Sequence, residues 1–288
     1  MIQTFPFRKL IMPKVTKQST KKTAKSSGGV LDNVVPIEDM ASTGVKMCLY
    51  GRGKTGKTSL ACTFPKPLLL LGTEDGTKSV RSCKGVDFLR LSASSQVDEV
   101  ASAIADTYKT VVLDTAGGLQ DMIMKEILGL DDLPVEKSWG MAGREQWQSC
   151  GVQTKERLRA LLDLADTSGV NVVIIAHERN FNDEGGSELI FPTVGVALTP
   201  STAGWLNGAC DYLCQTFLRE QTTTKAVKVA GKEGATMTQR TGRVEYALRV
   251  GPHPIYMTGF RRVHVEGEVM PDVLVNPTYE KIKELIDQ

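Results

Sequence analysis

Four short, largely apolar runs stand out in the first two thirds of the chain: Val45 to Tyr50, Pro67 to Leu71, Thr110 to Leu113 and Val170 to Ala176. Runs of this length without strict alternation are the pattern of strands buried on both faces of a parallel sheet. Between them the period lengthens. Residues 96–108 have a helix-like pattern, and a second helix, running to about Ala165, carries Leu158, Leu161 and Leu162 on one apolar face, with Trp147 on the same face. Strands alternating with helices predict an α/β fold, a mainly parallel sheet with helices on both faces. Towards the C-terminus the pattern changes to a helix over 203–218 and β-strands over 225–230, 243–250 and 255–265, separated by "GKEGATMTQRTG" and "GPHP". These strands would extend the sheet antiparallel. A helical stripe through Tyr279, Ile282, Leu285 and Ile286 ends the chain.

The division that follows is a basic N-terminal arm over 1–40, an α/β domain over 41–275 and a C-terminal helix over 276–288. With 288 residues, 41% hydrophobic and 24% charged, the chain is long enough for one large α/β domain with appendages. No apolar run approaches the roughly eighteen residues needed to span a bilayer, and no secretory leader opens the sequence, so a soluble, cytoplasmic protein is expected. The six cysteines lack metal-ligand spacing and read as reduced thiols. The net charge of +2 hides an asymmetry, because Arg8 and Lys9, Lys14, Lys17, Lys21, Lys22 and Lys25 precede the first acid. The stretch "KQSTKKTAKSSGG" has no aromatic or branched apolar residue to offset the entropy of ordering, which predicts disorder. Such an arm can hold phosphate backbones, or be a solvated leader, or precede a true start at Met12.

The chemistry begins directly after the first apolar run. Gly51-Arg52-Gly53-Lys54-Thr55-Gly56-Lys57-Thr58 fits G-x-x-x-x-G-K-[ST] and leads through Ser59 into a helix. Glycines 51, 53 and 56 allow a tight turn whose N–H groups face phosphate oxygens. Lys57 would reach the β- and γ-phosphates, and the Thr58 hydroxyl would join the Mg²⁺ shell. The third run ends in Asp114, a strand-end carboxylate suited to the same metal through a water. Thr115 follows it, so a water-activating base must come from elsewhere. Glu74, just beyond the Pro67–Leu71 run, would lie on the same edge of a parallel sheet and is the candidate base. His177 ends the fourth run, where it can sense the γ-phosphate or serve as a plain structural residue. "DTAG" at 114–117 also matches a GTPase motif, but "AHERNFND" holds nothing that reads guanine, so ATP is expected.

In the order of these motifs the chain resembles the RecA-like P-loop ATPases. It is most similar to the compact group that bacteriophages encode as ATP-dependent single-strand-annealing or recombination proteins. The residues carrying the resemblance are "GRGKTGKTSL" (51–60), "PLLLLGTEDGTKSV" (67–80), "TVVLDTAGGLQDM" (110–122), "NVVIIAHERN" (171–180), "YALRVGP" (246–252) and "YMTGFRRV" (256–263). The resemblance implies that Glu74 is the catalytic base and that His177, where RecA usually has Gln, couples ATP to DNA. It implies that Arg261 or Arg262 reaches a neighbour's γ-phosphate in a ring or filament of identical subunits. Single-stranded DNA would be met by loops after the third and fourth strands, with Lys137, Trp139, Arg144 and Arg179 as candidates, while Trp147 reads as core. The second of these loops, 179–205, could instead meet a neighbouring subunit. The function implied is an Mg²⁺-dependent, DNA-stimulated ATPase of recombination, annealing or replication, in a bacterial host if phage-encoded, with other replication or recombination proteins as further partners. A helicase-type ring or regulatory ATPase on duplex DNA or protein, or a non-catalytic nucleotide-gated scaffold, is the alternative.

Overall fold

The computed structural model describes residues 34, 36, 44–74, 76–130, 142–181, 193–229, 232–262 and 270–287. The N-terminal arm, Lys137, Trp139 and the middle of the 179–205 loop lie outside the described residues.

Five strands form the parallel core: β1 (Lys46–Gly51), β2 (Leu68–Gly72), β3 (Val86–Arg90), β4 (Thr110–Asp114) and β5 (Asn171–Asn180). Two further strands, β7 (Tyr212–Val229) and β8 (Lys232–Arg249), make a long antiparallel hairpin. The sheet order is β10-β8-β7-β1-β5-β4-β2-β3, with β10 (Val273–Val275) antiparallel to β8 and β9 (Gly259–Phe260) antiparallel to β7. β7 is itself parallel to β1 through its first residues, Tyr212 to Thr216, and the rest of the hairpin runs beyond the β1 register. One strand, β5, separates the phosphate-loop strand β1 from β4, which ends in Asp114. A mainly parallel sheet extended by antiparallel strands towards the C-terminus is the α/β fold that the sequence pattern predicts.

The alternation of side chains along β1 builds two cores at once. Cys48 and Tyr50 face the helices α2 (Gln96–Ala103), α3 (Ala116–Leu128), α4 (Arg144–Ser168) and α5 (Pro200–Ala209). Met47 and Leu49 face α1 (Lys57–Ala61) and α6 (Tyr279–Ile286), whose Ile282 and Leu285 are buried there. Fully buried strands cannot be polar on either side, which is why their sequences show no alternation. Trp147 packs against the first core, as read from the sequence.

Several boundaries differ from the sequence reading. The helix expected over 203–218 ends at Ala209, and 212 onward is strand, because "LCQTF" finds a parallel partner in β1 that outweighs its ambiguous period. The Thr-rich "ATMTQRT" is strand, not connection, since threonine favours strands and the stretch pairs with β7. Among the described residues of the strand expected over 255–265, only Gly259–Phe260 is strand, and 263–265 lie outside them. The 96–108 helix stops at Ala103. β5 continues through His177 to Asn180, where it pairs with β6 (Val194–Val196), so the loop expected from 179 starts later.

Candidate nucleotide site

The loop between β1 and α1 bends around a cavity of 360 Å³ lined by Gly53, Lys54, Gly56, Lys57, Thr58 and Ser59. Two of its glycines are required by the protein itself. A Cβ on Gly51 would lie 2.3 Å from the Thr216 carbonyl oxygen, and Gly56 has φ +83 and packs under the Tyr246 ring. Gly53 differs from expectation: a Cβ there meets nothing within 4 Å, and the left-handed residue is Lys54 at φ 66. No side chain caps α1, which leaves its first-turn N–H groups to an acceptor from outside.

Lys57 is 7% exposed, and its Nζ donates to the carbonyls of Gly51 (3.0 Å) and Arg52 (2.6 Å). Burial lowers its pKa, while Asp114, Glu178 and Glu74 oppose that shift. Opposite it, the Thr58 hydroxyl donates to Asp114 Oδ2 at 2.7 Å. Burial raises the Asp114 pKa, partly offset by the Thr58 bond. A desolvated ammonium beside a desolvated carboxylate suits a site completed by an anion and a cation together. The hydroxyl and carboxylate are the hard oxygen donors that Mg²⁺ takes.

Glu74 and His177 close the far wall. Glu74 Oε1 accepts from the Thr115 hydroxyl at 3.1 Å, and its Oε2 lies 3.9 Å from His177 Nε2. Thr115 is 3% exposed and also caps α3 by accepting from the Gly118 N–H at 3.1 Å. It thus aims Glu74 from a fixed point. On the reading of Glu74 as the water-activating base, Thr115→Val should lower kcat for ATP hydrolysis about tenfold with ATP affinity unchanged, on the scale of one lost orienting hydrogen bond, and Thr115→Ser should restore it. Steady-state rates of the three proteins decide; equal rates would remove Thr115 from the site.

Other sequence candidates lie elsewhere. The Arg52 side chain turns out of the cavity to Glu178 (2.8 Å), so only its backbone faces the Lys57 ammonium. Thr55 bonds to the Arg52 carbonyl and to Thr216. The Arg261 guanidinium is held by Asp211 (2.7 Å) and the Gly208 carbonyl (3.1 Å). Asp211 binds the Lys46 carbonyl at the start of β1, so Arg261 sits at the opposite end of that strand from the chain's own loop, and Arg262 follows it. Arg144 is exposed at the start of α4; Arg179 donates to the Leu198 carbonyl and lies 5.0 Å over Phe181. Sequence reasoning missed Tyr246, which lines both the nucleotide cavity and an adjoining one of 340 Å³ with Thr63, Asn276, Pro277 and Thr278. Its only signal was an aromatic in a late strand.

Comparison with curated proteins finds no match. Among solved structures, the crystal structure of the RadB recombinase is similar at 14% identity and a TM-score of 0.37, covering 69% of this chain and 88% of that one. A family model described as an AAA domain matches residues 43–254. That match spans most of the chain, its phosphate loop included, and the chain belongs to the AAA domain family.

Proposed function

We propose that the chain binds and hydrolyses ATP with Mg²⁺, assembles with copies of itself, and acts on single-stranded DNA in phage-type recombination, annealing or replication. The observation that carries the nucleotide reading is the buried Lys57 ammonium, held by two carbonyls at the edge of a cavity whose other wall is Thr58, Asp114 and Glu74. Lys57 exchanges those carbonyls for phosphate oxygens, and the open N–H groups of α1 take the remaining charge. Bound at Thr58 and Asp114, Mg²⁺ would neutralise charge on the phosphates. Glu74, aimed by Thr115, orients and deprotonates the attacking water, and His177 reads the γ-phosphate across 3.9 Å from Glu74. Tyr246, which lines both cavities, would offer its ring to the nucleotide base.

The DNA reading is supported by the motif order of the sequence and by exposed Arg144, which opens α4 on the phosphate-loop edge of the sheet. Among the described residues no helix is long and apolar enough to cross a membrane. ATPase rates measured alone, with single-stranded DNA and with duplex DNA test the reading. Single-stranded DNA should raise the rate several-fold, as about 1–3 kcal/mol per stacked base becomes available to favour the active state. Stimulation by duplex alone, or by neither, would exclude the single-strand assignment, and no turnover under any condition would exclude the ATPase itself.

A further inference from the structure

β7 holds the phosphate loop from both of its faces. On one, the Thr216 hydroxyl meets the Thr55 hydroxyl at 2.7 Å and the Tyr50 carbonyl at 3.3 Å. On the other, four side chains form a continuous line. Arg249 of β8 donates to Gln215 Oε1; Gln215 Nε2 donates to Glu178 Oε2 at 3.0 Å; Glu178 Oε1 accepts from Arg52 Nε at 2.8 Å. The Arg249 guanidinium is fixed between two rings, 4.6 Å over Phe217 and 4.2 Å over Tyr256. None of the four lines the nucleotide cavity.

The Arg52–Glu178 pair alone would contribute little, because the Arg52 side chain is 84% exposed. Its anchor is Gln215, 3% exposed, whose amide satisfies both neighbours in one orientation only, nitrogen to the carboxylate and oxygen to the guanidinium. What the line holds is the Arg52 peptide. Its carbonyl accepts from both Lys57 Nζ (2.6 Å) and the Thr55 hydroxyl (2.8 Å).

Resting on the nucleotide reading above, we propose that Gln215 is a positioning residue for Lys57: through Glu178 and Arg52 it ties the phosphate loop to the root of the β7–β8 hairpin. The loop's hold on nucleotide phosphates then depends on where that root sits.

An exchange of charge tests it. Gln215→Glu sets a second carboxylate against Glu178 and should raise the Kd for ATP·Mg²⁺ about tenfold, within the range found for coupled contacts. The double variant Glu178→Gln, Gln215→Glu rebuilds the line with its one carboxylate moved a position, and should bind within about threefold of wild type. In a Lys57→Ala background, Gln215→Glu should change the Kd by less than about twofold, because the residue through which it acts is gone. Calorimetry on the full chain, with thermal denaturation of each variant, reads all three. An unchanged Kd in folded Gln215→Glu, an equal loss in the Lys57→Ala background, or a double variant no better than the single would each overturn the proposal. If Gln215→Glu does not fold, the double variant decides: near-native affinity supports the line, and lost affinity or misfolding rejects it. A wild-type protein that binds no ATP·Mg²⁺ would instead defeat the nucleotide reading.

Discussion

Lys57→Ala should abolish ATP hydrolysis and weaken ATP·Mg²⁺ binding about a hundredfold, from the roughly 2–3 kcal/mol of a charge-assisted hydrogen bond. The fold should survive. Lys57 is buried, and burial lowers its pKa, so in the nucleotide-free protein the ammonium is a charge the fold tolerates rather than one it depends on. Phosphate release, ATP titration and the Tm without nucleotide read the three effects separately. Normal turnover would remove the nucleotide assignment altogether. Loss of turnover with a collapsed Tm would show that the ammonium and the carbonyls of Gly51 and Arg52 hold the loop together, contrary to a role spent on phosphate.

Glu74→Gln should bind ATP as wild type does and hydrolyse it about a hundredfold more slowly, the usual loss when a general base is removed. The amide keeps an acceptor for the Thr115 hydroxyl, so the side chain stays in place and only its basicity goes. Single-turnover rates at saturating ATP are the measurement of choice, because saturation hides affinity changes and leaves chemistry. Glu178 is the competing acid. It bonds to Arg52 and Gln215 outside the cavity, so under the same conditions Glu178→Gln should slow the chemical step far less than Glu74→Gln does. The reverse outcome, a slow Glu178→Gln and a normal Glu74→Gln, would assign the base to Glu178.

How much of this is legible in sequence depends on how local the physics is. The phosphate loop is encoded within eight residues, so its spacing alone places Lys57 and Thr58. Glu74, Asp114 and His177 needed one global premise, that parallel strands bring their carboxyl ends to one edge, and the structure places all three around the cavity. Edge and hairpin strands were harder. β3 is exposed at Asp87 and Phe88 and carries no apolar run, and "LCQTF" reads equally as helix or strand until its partner is known. The line from Arg249 to Arg52 was beyond reach, since Gln215 and Glu178 are ordinary polar residues until β5 and β7 are set on either side of β1. Gly53 lines the cavity as read from the motif, while the left-handed turn falls on Lys54, a residue type that gives no such signal.

The position of β7 beside β1 also sets a timetable for synthesis. Thr216 touches a phosphate-loop residue 161 positions away in the chain, and contacts so distant form late and slowly. A nascent chain that has released only the stretch up to Ala209 holds β1, β5, Glu74 and Asp114, but the second edge of β1 has no partner. Such an edge invites pairing with another strand, including that of a neighbouring nascent copy. Nucleotide cannot rescue this intermediate, because the loop that would hold it is still without its Thr216 support. Protection from proteolysis by ATP should therefore appear in a ribosome-arrested series only once the start of β7 has emerged.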